Sequence, residues 1–431
     1  MFGLDILIAK GRAFAKSSPL SLRYGVEALL WSGAVHIAVN NNNLFAQRLG
    51  ATEFQLSMLQ FLPQIIMLFL LVPAGFFADS LTNKRRMIAA ALVFVSIFYA
   101  LAGGSAFIPV AAVYFFIVFL SLSNVALGMY NLSWFAYFPE VVPDNLEAYE
   151  NRNSVLTFRA RVTMIAGFII PLAVGLILTS IPSDSGKIAA HQVFYIIAAV
   201  LILSNAFHFK RFTAINPAPP KRVNFDEIKT ASKRLIKNKP FIIFTVMILF
   251  FHMTWHADWT LYFIGQANYL HLNEFMLSIT PVTATVAQLL TLKFWSKNNT
   301  RQGIEKPLAY GMMGLALCPL AIIIGLTLPG NFGIIAFFTL HFIGHLAFAN
   351  IALNTFQCLL KVVDDEYRSF SISIYTCFIT LSNAIMPVVG VALYHQLGII
   401  NTFVILFAAR ILAGVLWLIR VKHSKPKEEA I

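Results

Sequence analysis

Several side chains able to bind protons, metals or solutes sit in stretches that are otherwise strongly apolar. Residues 251–260 read Phe-His-Met-Thr-Trp-His-Ala-Asp-Trp-Thr. His252 and His256 are four apart and share one face of a helix. Asp258 lies about 200° around from His256, so it needs a break in the helix or a separate partner. A carboxylate beside imidazoles in an apolar setting can take up and release a proton, which is what proton coupling requires. His341 and His345 repeat the spacing, followed by Asn350, Asn354 and Gln357. Imidazole pairs of this kind also suit a transition metal, so His252, His256, His341 and His345 form an alternative, metal-binding set. Glu27 is a third ionisable group. It is expected either to pair with Arg23, four residues earlier, or to carry a proton. His36, Asn40 and Asn43 share a face by helical spacing. Asn124, Tyr130, Asn131 and Trp134 cluster in another apolar run, and Trp255 and Trp259 flank His256. Arg410 stands in an apolar run without an obvious partner and is expected to snorkel to the nearer surface.

The elements that must position these groups follow from composition. The chain has 431 residues, 58% hydrophobic and 12% charged, with 40 Phe. A soluble domain carries about 25% charged residues, so a polytopic membrane protein is expected. Windows long enough to cross a bilayer, about 20 apolar residues each, occur at roughly 24–47, 54–78, 85–105, 108–137, 154–180, 190–211, 240–267, 274–295, 306–328, 331–359, 368–395 and 399–420. Cys318, Cys358 and Cys377 form no C-x-x-C pair and no disulfide framework. No cleavable leader is apparent, and the first span is expected to act as the targeting signal.

The net charge of +13 is a topology signal rather than a nucleic-acid footprint. With the N-terminus inside, 29 of the 32 Lys and Arg fall in inside segments, while Arg48 and Lys187 fall outside and Arg410 within the last span. That asymmetry is what the positive-inside rule demands. It places both termini on the cytoplasmic side of the inner membrane. It also supports the span count, because one missed span would invert every later loop. The long polar linker at 212–239 begins with Asn216-Pro-Ala-Pro-Pro220. It continues with Phe225, Ile228, Leu235 and Ile236 among lysines, the pattern of a short amphipathic helix at the inner surface. It separates six spans in 1–211 from six in 240–431, which suggests internal duplication.

Between spans two and three the sequence reads Gly75-Phe-Phe-Ala-Asp79-Ser-Leu-Thr-Asn-Lys84-Arg85-Arg86. This resembles motif A of the major facilitator superfamily, a Gly-x-Leu-Ala-Asp-Arg-x-Gly-Arg-Arg pattern in the same loop. Gly75, Ala78, Asp79 and the Lys84/Arg85 pair match, while Ser80, Thr82 and Asn83 replace Arg, Gly and Arg. A weaker echo after span eight keeps Arg301, Gly303 and Lys306 and lacks the acidic residue. The resemblance covers essentially the whole chain and stops short of a subfamily. It implies a conformational latch at Gly75, Asp79, Lys84 and Arg85, with Asp79 meeting helix N-terminal amides or Arg85. It further implies a central cavity lined by helices one, four, seven and ten. His36, Asn40, Asn124, Tyr130, Asn131, Trp134, His252, Trp255, Trp259, His341 and His345 would then face the solute. The Arg-x-x-x-Gly motif that many family exporters carry in span four is absent, which argues against drug/proton antiport.

No G-x-x-x-x-G-K-[ST], G-x-S-x-G or G-x-G-x-x-G occurs, so an enzyme or an ATP-driven pump is not expected. The expected fold is an all-α integral membrane protein, with 12 transmembrane helices in two pseudo-symmetric six-helix halves. The expected function is secondary active transport of a small organic solute by alternating access. Protons would be coupled through Asp258, His256 and Glu27. A transition metal or metal chelate is the alternative cargo. No cofactor is expected. The expected partners are the solute, protons and the bilayer, not nucleic acid, and the chain is expected to act as a monomer.

Overall fold

The computed structural model describes residues 19–81, 83–142, 152–215, 225–363 and 368–423. The N-terminal lysines and arginine, the Asn216–Pro220 stretch and the last residues of the chain lie outside the described residues. Those described are helical, with no strand among them. The long helices are α1 (Pro19–Ile37), α2 (Glu53–Ser80), α3 (Lys84–Gly104), α4 (Ala112–Val141), α5 (Arg152–Ser180) and α6 (Asp184–His208). They continue with α7 (Lys239–Tyr269), α8 (Glu274–Gln302), α9 (Glu305–Thr327), α10 (Asn331–Leu360), α11 (Arg368–Leu397) and α12 (Ile399–His423). Eleven segments among the described residues are long and apolar enough to cross a membrane; α1, diluted by Arg23 and Glu27, falls below that mark.

Polar residues punctuate the helices. Asn83, Ser183, Asn238 and Asn273 each accept a hydrogen bond from a backbone N–H in the first turn of the helix that follows. That cap satisfies one of the donors left unpaired at a helix start. Span one does not run unbroken to 47. It stops at Ile37, passes through a 3-10 turn at Val39–Asn41 and resumes at Asn42–Arg48. Consecutive asparagines compete with the helix for backbone partners, and Asn41 Nδ2 bonds Ile37 O at 3.3 Å. Two further breaks matter for the site. A turn at Ala257 divides α7, whose last turn at Gly265–Tyr269 is π-helical. A turn at Ala316 divides α9 just before Cys318.

The chain packs as two compact units, Met1–Ala51 with Phe69–Val223, and Thr52–Leu68 with Asn224–Ile431. Helices cannot rely on burying apolar surface when the surrounding lipid is equally apolar, so close packing through small residues takes over. In the first unit α3 packs on α4 and α6, and α1 on α5 and α6. A Cβ on Gly103 would lie 2.7 Å from Cβ of Tyr195. In the second unit α7 packs on α11 and α12, α8 on α10, and α9 on α10 and α12. There Gly390 fits directly against the carbonyl of Ala257, at the break in α7. The short helix Phe225–Lys237 buries Ala231 and Leu235 and leaves Ile236 73% exposed. Leu235 joins a core cluster with Phe241 and Val363.

Candidate functional site

In the first unit three helices converge on one carboxylate. Glu27 of α1 is fully buried. Its Oε1 accepts a hydrogen bond from the Tyr130 hydroxyl at 2.6 Å. Arg159 of α5 donates from Nε to Oε2 at 2.7 Å and from Nη2 to Oε1 at 3.2 Å. This two-pronged geometry is the strong form of a carboxylate–guanidinium pair. Trp31 stacks on the Tyr130 ring at 4.7 Å. The Arg159 guanidinium sits 4.7 Å over the ring of Trp134, a cation–π contact. The pair is unequally sealed, with the Arg159 side chain 25% exposed and that of Glu27 0%.

The expected Arg23 partner is therefore replaced. Arg23 donates instead to the carbonyl of Arg211 at 2.8 Å. Sequence distance favoured the neighbour four residues away, while the fold supplied a cation 132 positions later. The sequence carried little signal for this, because the charge asymmetry assigns Arg159 to the inside segments although it stands six residues into the window 154–180.

The second unit holds another sealed pair. Arg410 of α12 meets Asp258 of α7 at 2.7 Å, with side chains 0% and 6% exposed. Arg410 also donates to Thr254 O at 2.8 Å and to Leu315 O at 3.1 Å. Its expected snorkelling is thus corrected: three acceptors on two helices hold the guanidinium inside. Asp258 lies on the face of α7 away from the histidines, as two residues of helix dictate, and there meets α12. His256 Nδ1 approaches Ser382 Oγ at 3.1 Å, and its Nε2 lies 3.3 Å from His252 Nδ1. Trp259 packs on the His256 ring at 4.8 Å, and Trp255 on Phe348 at 5.1 Å.

His341 and His345 lie away from that imidazole pair, joined to it through Trp255 and Phe348. His341 is 3% exposed. Its Nε2 faces Thr280 O at 3.1 Å and its Nδ1 faces the Tyr262 hydroxyl at 2.7 Å. Cys318 is brought to this pair by the fold, with Sγ 3.5 Å from His345 Nδ1.

The remaining expected residues are dispersed. His36 and Asn40 do meet, at 2.8 Å. Asn124 turns back onto its own helix, to Leu120 O at 2.9 Å. Asn131 and Asn40 are exposed. In the motif-A loop, Lys84 pairs with Glu140 at the end of α4 at 2.5 Å, both buried. Arg85 donates to Phe212 O at 2.9 Å and to Lys210 O at 3.4 Å. Gly75 and Asp79 belong to α2, and their side chains lie outside the described residues.

Comparison with known proteins adds the wider frame. The model of the Major Facilitator Superfamily matches residues 26–360. The nucleoside transporter NupG superposes with a TM-score of 0.68 at 13% identity, covering 94% of this chain and 99% of that one. A bacterial homologue of the iron transporter ferroportin, in its inward-facing state, gives 0.72 at 13%, covering 93% and 98%. A POT family transporter in complex with a thioalcohol-conjugated peptide gives 0.69 at 14%, covering 94% and 97%. Likeness at such identity is a likeness of fold. No curated protein matches the sequence.

Proposed function

Because the chain belongs to the Major Facilitator Superfamily, and is a multi-pass membrane transporter rather than an enzyme, we propose that it moves a small organic solute by alternating access, coupled to protons through Glu27. The observation that carries this reading is the Glu27–Arg159–Tyr130 cluster, buried on the carboxylate side and partly open on the guanidinium side. While Glu27 is ionised, it neutralises Arg159. A proton on Glu27 leaves Arg159 without a counter-charge, which costs about 3–5 kcal/mol in a buried site. An anionic group on an arriving solute relieves that cost. Proton and solute then favour each other's binding, which is the thermodynamic content of coupling. Trp31, Tyr130 and Trp134 supply flat apolar surface for the body of the solute. The protein works in this reading as a monomer in the inner membrane with both termini in the cytoplasm, following the Lys and Arg asymmetry.

The test begins with a solute found by thermal-shift screening of a metabolite library. A ligand at 100 times its dissociation constant stabilises by about 2.7 kcal/mol. In proteoliposomes, Glu27→Gln should abolish accumulation driven by a pH gradient while keeping solute exchange. Undiminished gradient-driven accumulation by Glu27→Gln would sink the proposal.

One observation favours the second reading, a transition metal or metal chelate as cargo. Donor atoms of Cys318, His341 and His345 lie within 4.8 Å of one another. Metal-dependent flux, with no organic solute stabilising the protein, would move the assignment there.

A further inference from the structure

We propose that Cys318, His341 and His345 form a binding site for a borderline-soft transition-metal ion of the Zn²⁺ or Co²⁺ type. The site stands whatever the protein carries, because it is defined by binding rather than by flux.

The hydrogen bonds around the two imidazoles fix which nitrogen of each carries the proton in the metal-free chain. A carbonyl oxygen can only accept, so the His341 nitrogen facing Thr280 O at 3.1 Å, Nε2, carries the proton. Its Nδ1 is then a lone pair, and the Tyr262 hydroxyl donates to it at 2.7 Å. By the same argument His345 Nδ1, at 2.8 Å from His341 O, carries the proton in the metal-free chain; it is also the nitrogen 3.5 Å from Cys318 Sγ, so His345 ligates beside the thiolate by switching tautomer and giving up that carbonyl. His341 thus keeps its N–H on a backbone carbonyl and can ligate through Nδ1 once the Tyr262 hydroxyl gives way. For His341 this is the supporting arrangement that metal-ligating histidines almost always show.

The third donor arrives through local backbone structure. Cys318 lies two residues after the turn at Ala316 that interrupts α9. Gly344, between the two histidines on α10, admits it, since a Cβ there would lie 3.1 Å from Sγ of Cys318. One thiolate and two imidazoles select Zn²⁺-like ions and not Ca²⁺ or Mg²⁺, which demand oxygen ligands. On binding, the Cys318 thiol loses its proton to solvent as the sulfur–metal bond forms. Three protein ligands leave a tetrahedral ion one open position. His252 and His256, on the far side of Trp255 and Phe348, are not part of the site.

The probe is Co²⁺ added to the purified, metal-free full chain in detergent. Stoichiometric binding with a thiolate-to-cobalt charge-transfer absorption is expected, displaced by Zn²⁺. Cys318→Ser should remove that absorption. His345→Ala should weaken binding by more than the roughly 10–100-fold that loss of a supporting contact costs. His252→Ala should leave the affinity unchanged. Tyr262→Phe frees Nδ1 of His341 and should tighten binding, by roughly three- to tenfold for one hydrogen bond no longer broken. This last variant keeps the test sharp should Cys318→Ser fail to fold. Absence of the thiolate absorption in the native chain overturns the site. So does affinity that survives Cys318→Ser but not His252→Ala, or that weakens in Tyr262→Phe.

Discussion

Asp258 and Arg410 stand 152 positions apart in sequence, yet their side chains meet at 2.7 Å with almost no surface left to solvent. The guanidinium reaches back to Thr254 O and across to Leu315 O. It therefore ties α7, α9 and α12 together. Breaking such a pair from one side strands a buried charge at about 3–5 kcal/mol. Asp258→Asn and Arg410→Leu should each lower the melting temperature of the purified protein, and the double substitution should recover part of the loss. If Asp258→Asn melts like the native chain and loses only gradient-driven uptake, Asp258 is a proton carrier in its own right.

Tyr130 contributes a hydrogen bond to a charged acceptor, worth about 1.5–3 kcal/mol. Tyr130→Phe keeps the stacked contact with Trp31 and removes only that bond. Thermal stability should fall by less than in Arg159→Leu, which leaves the Glu27 charge alone. An equal or larger loss in Tyr130→Phe would contradict the shared-carboxylate geometry.

Lys84 and Arg85 act on different targets. Lys84 neutralises Glu140 in a buried pair, so Lys84→Met should destabilise the whole first unit. Arg85 holds the carbonyls of Lys210 and Phe212, where the chain leaves α6 for the linker. Arg85→Ala should speed limited proteolysis within 212–239 with little change in melting temperature, read by mass spectrometry of the fragments. Equal cleavage rates would remove Arg85 from that role.

Gly390 lies against the Ala257 carbonyl, and no side chain fits between them. Gly390→Val should force α11 away from the break in α7. His256 faces Ser382 on the same helix, so this variant should lose solute-induced stabilisation along with stability. The alanine variant should show a smaller version of both effects. Native behaviour in both variants would mean that α7 and α11 do not pack as closely as described.

The sequence by itself determined the helical membrane class, because a charge-poor chain with a dozen long apolar windows leaves no other way to satisfy backbone hydrogen bonds in lipid. It also identified the polar residues whose presence in lipid needs explaining, including Glu27, Asp258 and the two histidine pairs. Partnership was decided by tertiary structure alone. Helical spacing is local, so it favoured Arg23 for Glu27 and left Arg410 without a partner. The fold instead delivered Arg159 and Arg410 from helices far along the chain. Helix breaks were equally invisible to a regular 3.6-residue period. Asp258 points about 200° from His256 on any regular helix, but its pairing with Arg410, like that of Cys318 with His345, is set by a neighbouring helix. Those pairings depend on which helix lies beside which, at what height and rotation. That information resides in packing between distant segments, not in the order of residues within any one of them.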